Sequence, residues 1–268
     1  MKFASVKCGI LAAAVLAAVG GAHASAQIVT QWTFDNQPVT GAPPYNNSPT
    51  PSTGSGTAVV LGMGIYPTPT NGFAAADILA NPGSSTSPGG LPAADQAWRI
   101  RAQATAPAAA NGWYSGAPQY TQGAEFDVPT TGFSGIKVSF DWQPTNKGVE
   151  DVELQYNPDV TNASGWINGG LFSNTVPGGV WNNANIVDLS GLGSVANDPN
   201  FGIRIVSAYH PGTSAYADTT GAALNNSSGN IRFDNVTVSG VAPEPTSLSV
   251  LALGGLGLLA RRRNRAGV

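Results

Sequence analysis

The sequence predicts an all-β fold, an antiparallel β-sandwich of jelly-roll type, with an N-terminal signal helix and a single C-terminal transmembrane helix at its ends. Three observations predict the sandwich. Short runs alternate apolar and polar residues with period two, which puts one face of each strand on a core. No stretch between the two ends sustains a 3.6-residue apolar period with caps. The runs are separated by turn formers, drawn from 34 Gly and 20 Pro in 268 residues, and many short strands joined by turn-rich loops favour two packed sheets.

Residues 1–26 read as a signal peptide. Lys2 and Lys7 form a positive start, residues 9–21 an apolar Ala-rich stretch, and Ala22-His23-Ala24 and Ala24-Ser25-Ala26 offer small residues to a signal peptidase. Cleavage is expected after Ala26, with Ala24 as the alternative. The apolar run is shorter than the ~20 residues a permanent anchor needs. Cys8 is the one cysteine and lies inside this segment. The mature body therefore has no disulfide and must rely on its own core, or on a metal. Zinc sites built on cysteine are excluded, as are multi-histidine sites, because His210 is the one histidine left after cleavage.

The body, residues 27–241, opens with Ile28-Val29-Thr30-Gln31-Trp32-Thr33-Phe34. Further alternating runs occupy 97–102, 124–128, 135–142, 152–156, 201–206 and 231–238. The clearest is 135–142, with Ile136, Val138, Phe140 and Trp142 on one face and Lys137, Ser139 and Asp141 on the other. The first and last strands have similar character and are expected to lie side by side. Pro/Ser/Thr/Gly-rich stretches at 40–57 and 81–92 are expected as long surface loops.

The C-terminal segment 242–268 has three parts in order. Pro243-Glu244-Pro245 cannot continue a helix or a central strand, because both prolines fix φ and lack an N–H. Residues 246–260 are apolar and uncharged, roughly 22 Å long as a helix. Arg261, Arg262, Arg263 and Arg265 then stop transfer and stay cytoplasmic. This tail resembles the PEP-CTERM sorting signal of Gram-negative bacteria. The resemblance implies recognition of Pro243, Glu244 and Pro245 by an exosortase, and a transient stay in the inner membrane. It also implies delivery to the cell envelope or the extracellular matrix.

The rhythm of the body, from Ala97-Trp98-Arg99-Ile100-Arg101 through 135–156 to the closing Ile231-Arg232-Phe233-Asp234-Asn235-Val236, resembles carbohydrate-binding-module and lectin-like jelly rolls. Residues 27–242 hold six basic and fourteen acidic side chains, a net of −8, more acidic than the −3 of the whole chain. That balance excludes nucleic acid and an anionic lipid surface as partners of the body.

No catalytic constellation stands out. His210 lies in a turn, where a solvated ring is expected, and there is no nucleophile elbow or phosphate loop. Glu125 and Asp127, at i and i+2, share a strand face. Jelly-roll glucanases use an E-x-D-x-x-E run in this way, but Thr130 stands at the third position, so the two acids are expected to face water. The acids of Glu150-Asp151-Val152-Glu153 are expected as a solvated face.

Asp35 and Asp234, beside Asn36 and Asn235 at the ends of the first and last strands, are candidate calcium ligands, with Asx turns as the alternative. No other cofactor is expected. Trp113, Tyr114, Tyr120 and Trp166 lie in loops and are candidates for stacking on an exopolysaccharide, or else cap the sandwich ends. The sequence thus points first to a non-catalytic structural or adhesive protein. A carbohydrate-binding module comes second and a glycan-acting enzyme third.

Overall fold

Alternation becomes strand wherever one face can be buried. A computed structural model describes residues 25–35, 48–62, 76–77, 83–84, 95–100, 113, 115–177, 179–224 and 229–243. The strands are β1 (Ala26–Trp32), β2 (Thr57–Leu61), β3 (Ala76–Asp77), β4 (Trp98–Ile100), β5 (Gly123–Asp127), β6 (Ser134–Pro144), β7 (Asp151–Asn157), β8 (Ile167–Ser173), β9 (Asn182–Asp188), β10 (Gly202–Ser207) and β11 (Ile231–Val241). Contacts gather Gln27–Gly240 into one compact unit. The two ends make up the other unit and lie almost wholly outside the described residues. So do Ala24, Glu244, Pro245 and the four terminal arginines, with both expected terminal helices. Among the described residues, no helix is long and apolar enough to cross a membrane.

One sheet runs β3-β4-β11-β6-β9, with β1 also paired to β11, and the other runs β2-β5-β10-β7-β8. Every strand pair with a resolved register is antiparallel. The first and last strands pair, as the sequence predicts. The inner faces share one core. The six-stranded sheet contributes Trp32, Trp98, Ile136, Val138, Phe140, Trp142, Phe233 and Val236; the five-stranded sheet contributes Ala124, Phe126, Leu154, Ile203 and Ile205. Aromatic rings span the gap at both ends. Phe126 meets Trp32 at 5.0 Å and Trp98 at 6.0 Å between ring centres, and Phe140 meets Phe172 at 5.0 Å.

The two expected surface loops are partly drawn inward. In 40–57, Pro49 O accepts the Trp32 indole N–H (3.1 Å), Thr53 bridges to Gln31, and Thr57 already begins β2. In 81–92, Ser84 is fully buried. Its N–H donates to Asp234 (2.7 Å) and its hydroxyl to Asp141 (2.5 Å). Both carboxylates project from the outer face of the six-stranded sheet, so Ser84 covers that face there. That explains why Asp141, on the polar side of the β6 alternation, is buried.

Candidate functional site

The outer face of the five-stranded sheet carries a polar row that the strand period creates. Ala124 and Phe126 point inward from β5, so Glu125 points outward; Ile203 and Ile205 do the same for Arg204 on β10, and Leu154 for Gln155 on β7. The registers place Glu125 beside Arg204, Arg204 beside Gln155, and Gln155 beside Asn168 of β8. Val59 of β2 flanks Glu125 at the edge of the row and is exposed.

These side chains form a directed chain of hydrogen bonds. Arg204 Nε donates to Gln155 Oε1 (2.6 Å), Gln155 Nε2 to Asn168 Oδ1 (2.6 Å), and Asn168 Nδ2 to the Tyr120 hydroxyl (3.2 Å). The Arg204 guanidinium lies 4.5 Å from the centre of the Trp166 ring, a cation–π contact. Burial lowers the basicity of Arg204, and the Glu125 charge opposes that. Burial, then the Asp127 charge, raises the Glu125 carboxyl, and Arg204 pulls it back. Burial also raises Asp127, against a hydrogen bond from Thr57 Oγ1 (3.1 Å).

Local structure holds the row rigid. Between Leu154↔Gly170 and Gln155↔Asn168 the β7–β8 register slips, and this bulge aims Asn168 at Gln155. Glu153 Oε1 accepts the Gly170 N–H (2.9 Å) beside the bulge. The loop leading to Trp166 is tied by its own Asx turns. Asn157 Oδ1 accepts the Asp159 N–H (2.9 Å), Asp159 Oδ1 the Thr161 N–H (3.1 Å), and Asn162 Oδ1 the Ser164 N–H (3.2 Å). Gly202 is required where this loop crosses β10, because a Cβ there would sit 2.3 Å from Val160 Cγ1. Tyr120 has a left-handed φ of 68° and is anchored by its own N–H to Ser207 O (2.9 Å).

No family model matches the chain, and no curated protein matches it. Among solved structures, a mutant of a carbohydrate binding module of family 29 is similar at 15% identity, over 69% of this chain and 92% of that one, with a TM-score of 0.30. A cleaved adhesin domain of Lys-gingipain from Porphyromonas gingivalis is similar at 12% identity, over 62% of this chain and 91% of that one, also with a TM-score of 0.30.

Of the four aromatic candidates, the structure brings Tyr120 and Trp166 to one face. Trp113 is corrected: it is fully buried in the core, and a side chain packed there cannot stack on a sugar. Tyr114 lies outside the described residues. The expectation that Glu125 and Asp127 face water is also corrected, since Arg204 and the loop over Gly202 half-bury them. Thr130, in the position of the missing third acid, is buried, and its hydroxyl donates to Val195 O (2.8 Å).

The expected solvated face at 150–153 is wrong as well. Glu150, Asp151 and Glu153 are 3%, 1% and 5% exposed: the segment after β10 folds across Glu150 and Asp151 at the start of β7, and Glu153 turns to the Gly170 N–H of β8. The calcium candidates reach neighbouring positions. Asp35 Oδ1 accepts the Gln96 N–H (2.9 Å), and the Asp234 carboxyl feels the charge of Asp95. The signal that could have found the polar row is the presence of outward Glu125, Arg204 and Gln155 in runs whose other faces are apolar. Their register was not in that signal.

Proposed function

We propose that the body is a non-catalytic, adhesive β-sandwich of jelly-roll type that binds carbohydrate on the outer face of its five-stranded sheet. The observation that carries this reading is the hydrogen-bonded row from Arg204 through Gln155 and Asn168 to the Tyr120 hydroxyl, with the Trp166 ring against Arg204. A pyranose has an apolar C–H face and a rim of hydroxyls. A partly exposed indole offers an apolar platform, and the Arg204 guanidinium and the exposed Asn168 amide offer polar groups at a spacing fixed by the buried Gln155 between them. The Asx-tied loop presents Trp166 already ordered, which lowers the entropy lost on binding.

The test is affinity electrophoresis and calorimetry against a panel of acidic and neutral exopolysaccharides. Trp166→Ala is expected to weaken binding about 10- to 30-fold, the loss of one buried aromatic contact, with the unfolding midpoint unchanged. Equal binding by Trp166→Ala, or no retention on any polysaccharide, would overturn the reading. Polysaccharide hydrolysis lost in Glu125→Gln would favour a glycan-acting enzyme instead.

We propose further that the chain is exported, held by its tail in the inner membrane, and passed by an exosortase to the envelope or matrix. Support comes from the order of Pro243-Glu244-Pro245, the apolar stretch 246–260 and the arginines 261–265, paired with the N-terminal signal. Removing residues 243–268 is expected to leave the body unanchored in the periplasm. Unchanged fractionation and an unchanged mature C-terminus by mass spectrometry would overturn this.

A further inference from the structure

Three ligand-capable side chains converge at the end of the five-stranded sheet away from the polar row. Glu150 immediately precedes β7, Asp151 is its first residue, and His210 follows β10. One donor atom from each lies within 4.8 Å of the other two. The backbone fixes this meeting. The Glu150 N–H donates to Ala217 O and the Ala208 N–H to Asp151 O, both at 2.9 Å, while the His210 N–H closes its own turn on Ala215 O (2.9 Å). Asp151 uses Oδ1 to accept the Ser173 hydroxyl, which leaves Oδ2 turned to His210 Nδ1 at 3.1 Å.

A second observation separates this cluster from a chance grouping of acids. The Glu150 side chain is only 4% exposed. Its Oε2 is buried and makes no hydrogen bond. Its approach to His210 Nδ1, 3.6 Å, is longer than a hydrogen bond. A carboxylate oxygen shielded from water and left without a donor is costly unless a cation supplies the missing partner. Lys147, three residues before Glu150, is engaged elsewhere: its Nζ pairs with Asp218 at 3.0 Å.

We propose that Glu150 Oε2, Asp151 Oδ2 and His210 Nδ1 bind a first-row divalent transition-metal cation. Two donors at ~2.1 Å from one tetrahedral ion lie about 3.4 Å apart, and the 3.1 and 3.6 Å separations bracket that value. One imidazole nitrogen with two carboxylates suits zinc or manganese, whereas calcium takes 6–8 oxygens. The imidazole side chain is 43% exposed, so water can complete the coordination. The ion would tie the segment after β10 to the start of β7, joining Asp151 and His210, whose positions differ by 59. In a body without cysteine this takes the place of a cross-link.

The full chain, stripped with chelator, is titrated with Zn2+, Mn2+, Ca2+ and Mg2+, following the unfolding midpoint and the heat of binding. Zn2+ at about 100 times its Kd is expected to bind one per chain and raise the midpoint by about 5–10 °C. His210→Ala is expected to lose that rise. Glu150→Gln, which keeps the shape of the site, is expected to fold and to bind Zn2+ at least tenfold more weakly. No rise with Zn2+ or Mn2+, an equal rise in both variants, or a rise with Ca2+ alone would overturn the proposal.

Discussion

Trp98→Ala is expected to destabilise the body by about 3–5 kcal/mol, the range for removing a buried aromatic side chain. Trp98 is fully buried on a strand of only three residues, so the ladder around it contributes few hydrogen bonds and its ring carries the attachment. It stacks on Phe34 at 5.7 Å in its own layer and meets Phe126 edge-on at 6.0 Å in the opposite sheet. Phe126 in turn holds Trp32 at 5.0 Å. Removing the indole empties the junction where the sheets meet, and rings held from both sides cannot collapse into the space. Urea denaturation measures the loss. A change below about 1.5 kcal/mol would show that the cluster relaxes around the gap.

The second large effect is one of pH. The Asp234 carboxyl is fully buried on β11. Burial pushes it up to about 7, against hydrogen bonds from the Ser84 and Asn235 N–H groups, and the Asp95 charge pushes the same way. Between pH 4 and 7 the native state therefore holds a proton that the unfolded chain has released. Stability contributed by this group is full below the ordinary carboxylate range and falls as pH rises towards 7, by about 4 kcal/mol in total.

Glu125, Asp127, Glu150 and Glu153 are all raised by burial and act with the same sign. Asp218 and Asp188 are lowered and act with the opposite sign. The urea midpoint of the wild type is expected to be higher at pH 5 than at pH 8. Asp234→Asn, which keeps an acceptor for the Ser84 N–H, is expected to remove most of that difference. A variant with the same pH slope as the wild type would show that Asp234 does not carry it.

Seven strands were legible because apolar residues alternate in their sequences: those built around Trp32, Trp98, Phe126, Phe140, Leu154, Ile203 and Phe233 each put an apolar face on the core, and β7 is covered on its polar face as well. Four were not. β2 reads Thr-Ala-Val-Val-Leu without clean alternation, at the end of a Pro/Ser/Thr-rich stretch. β3 has two residues, β8 carries Gly169-Gly170 at a bulge, and β9 opens Asn-Asn-Ala-Asn. β2, β3, β8 and β9 lie at the ends of the two sheet orders. An edge strand needs less apolar surface to be held, so its composition drifts towards that of a loop. The half-legible site has the same cause. Tyr120 and Trp166 could be picked as aromatics in polar loops, but Trp113 has the same sequence context and is buried.

The absence of cysteine from residues 27–241, their acidity and the outward direction of Glu125, Arg204 and Gln155 follow from the order of residues alone, because each depends on composition or on a local period. What only the tertiary structure decided is which of those outward groups meet. Arg204 reaches Gln155 because β10 lies beside β7, and Gln155 reaches Asn168 because a bulge in β8 shifts the register. Glu150 meets His210 because β7 and β10 are neighbours and the segment after β10 folds back over the start of β7. Strand order and register are set by packing one core across the whole chain, and a period of two residues carries no information about either.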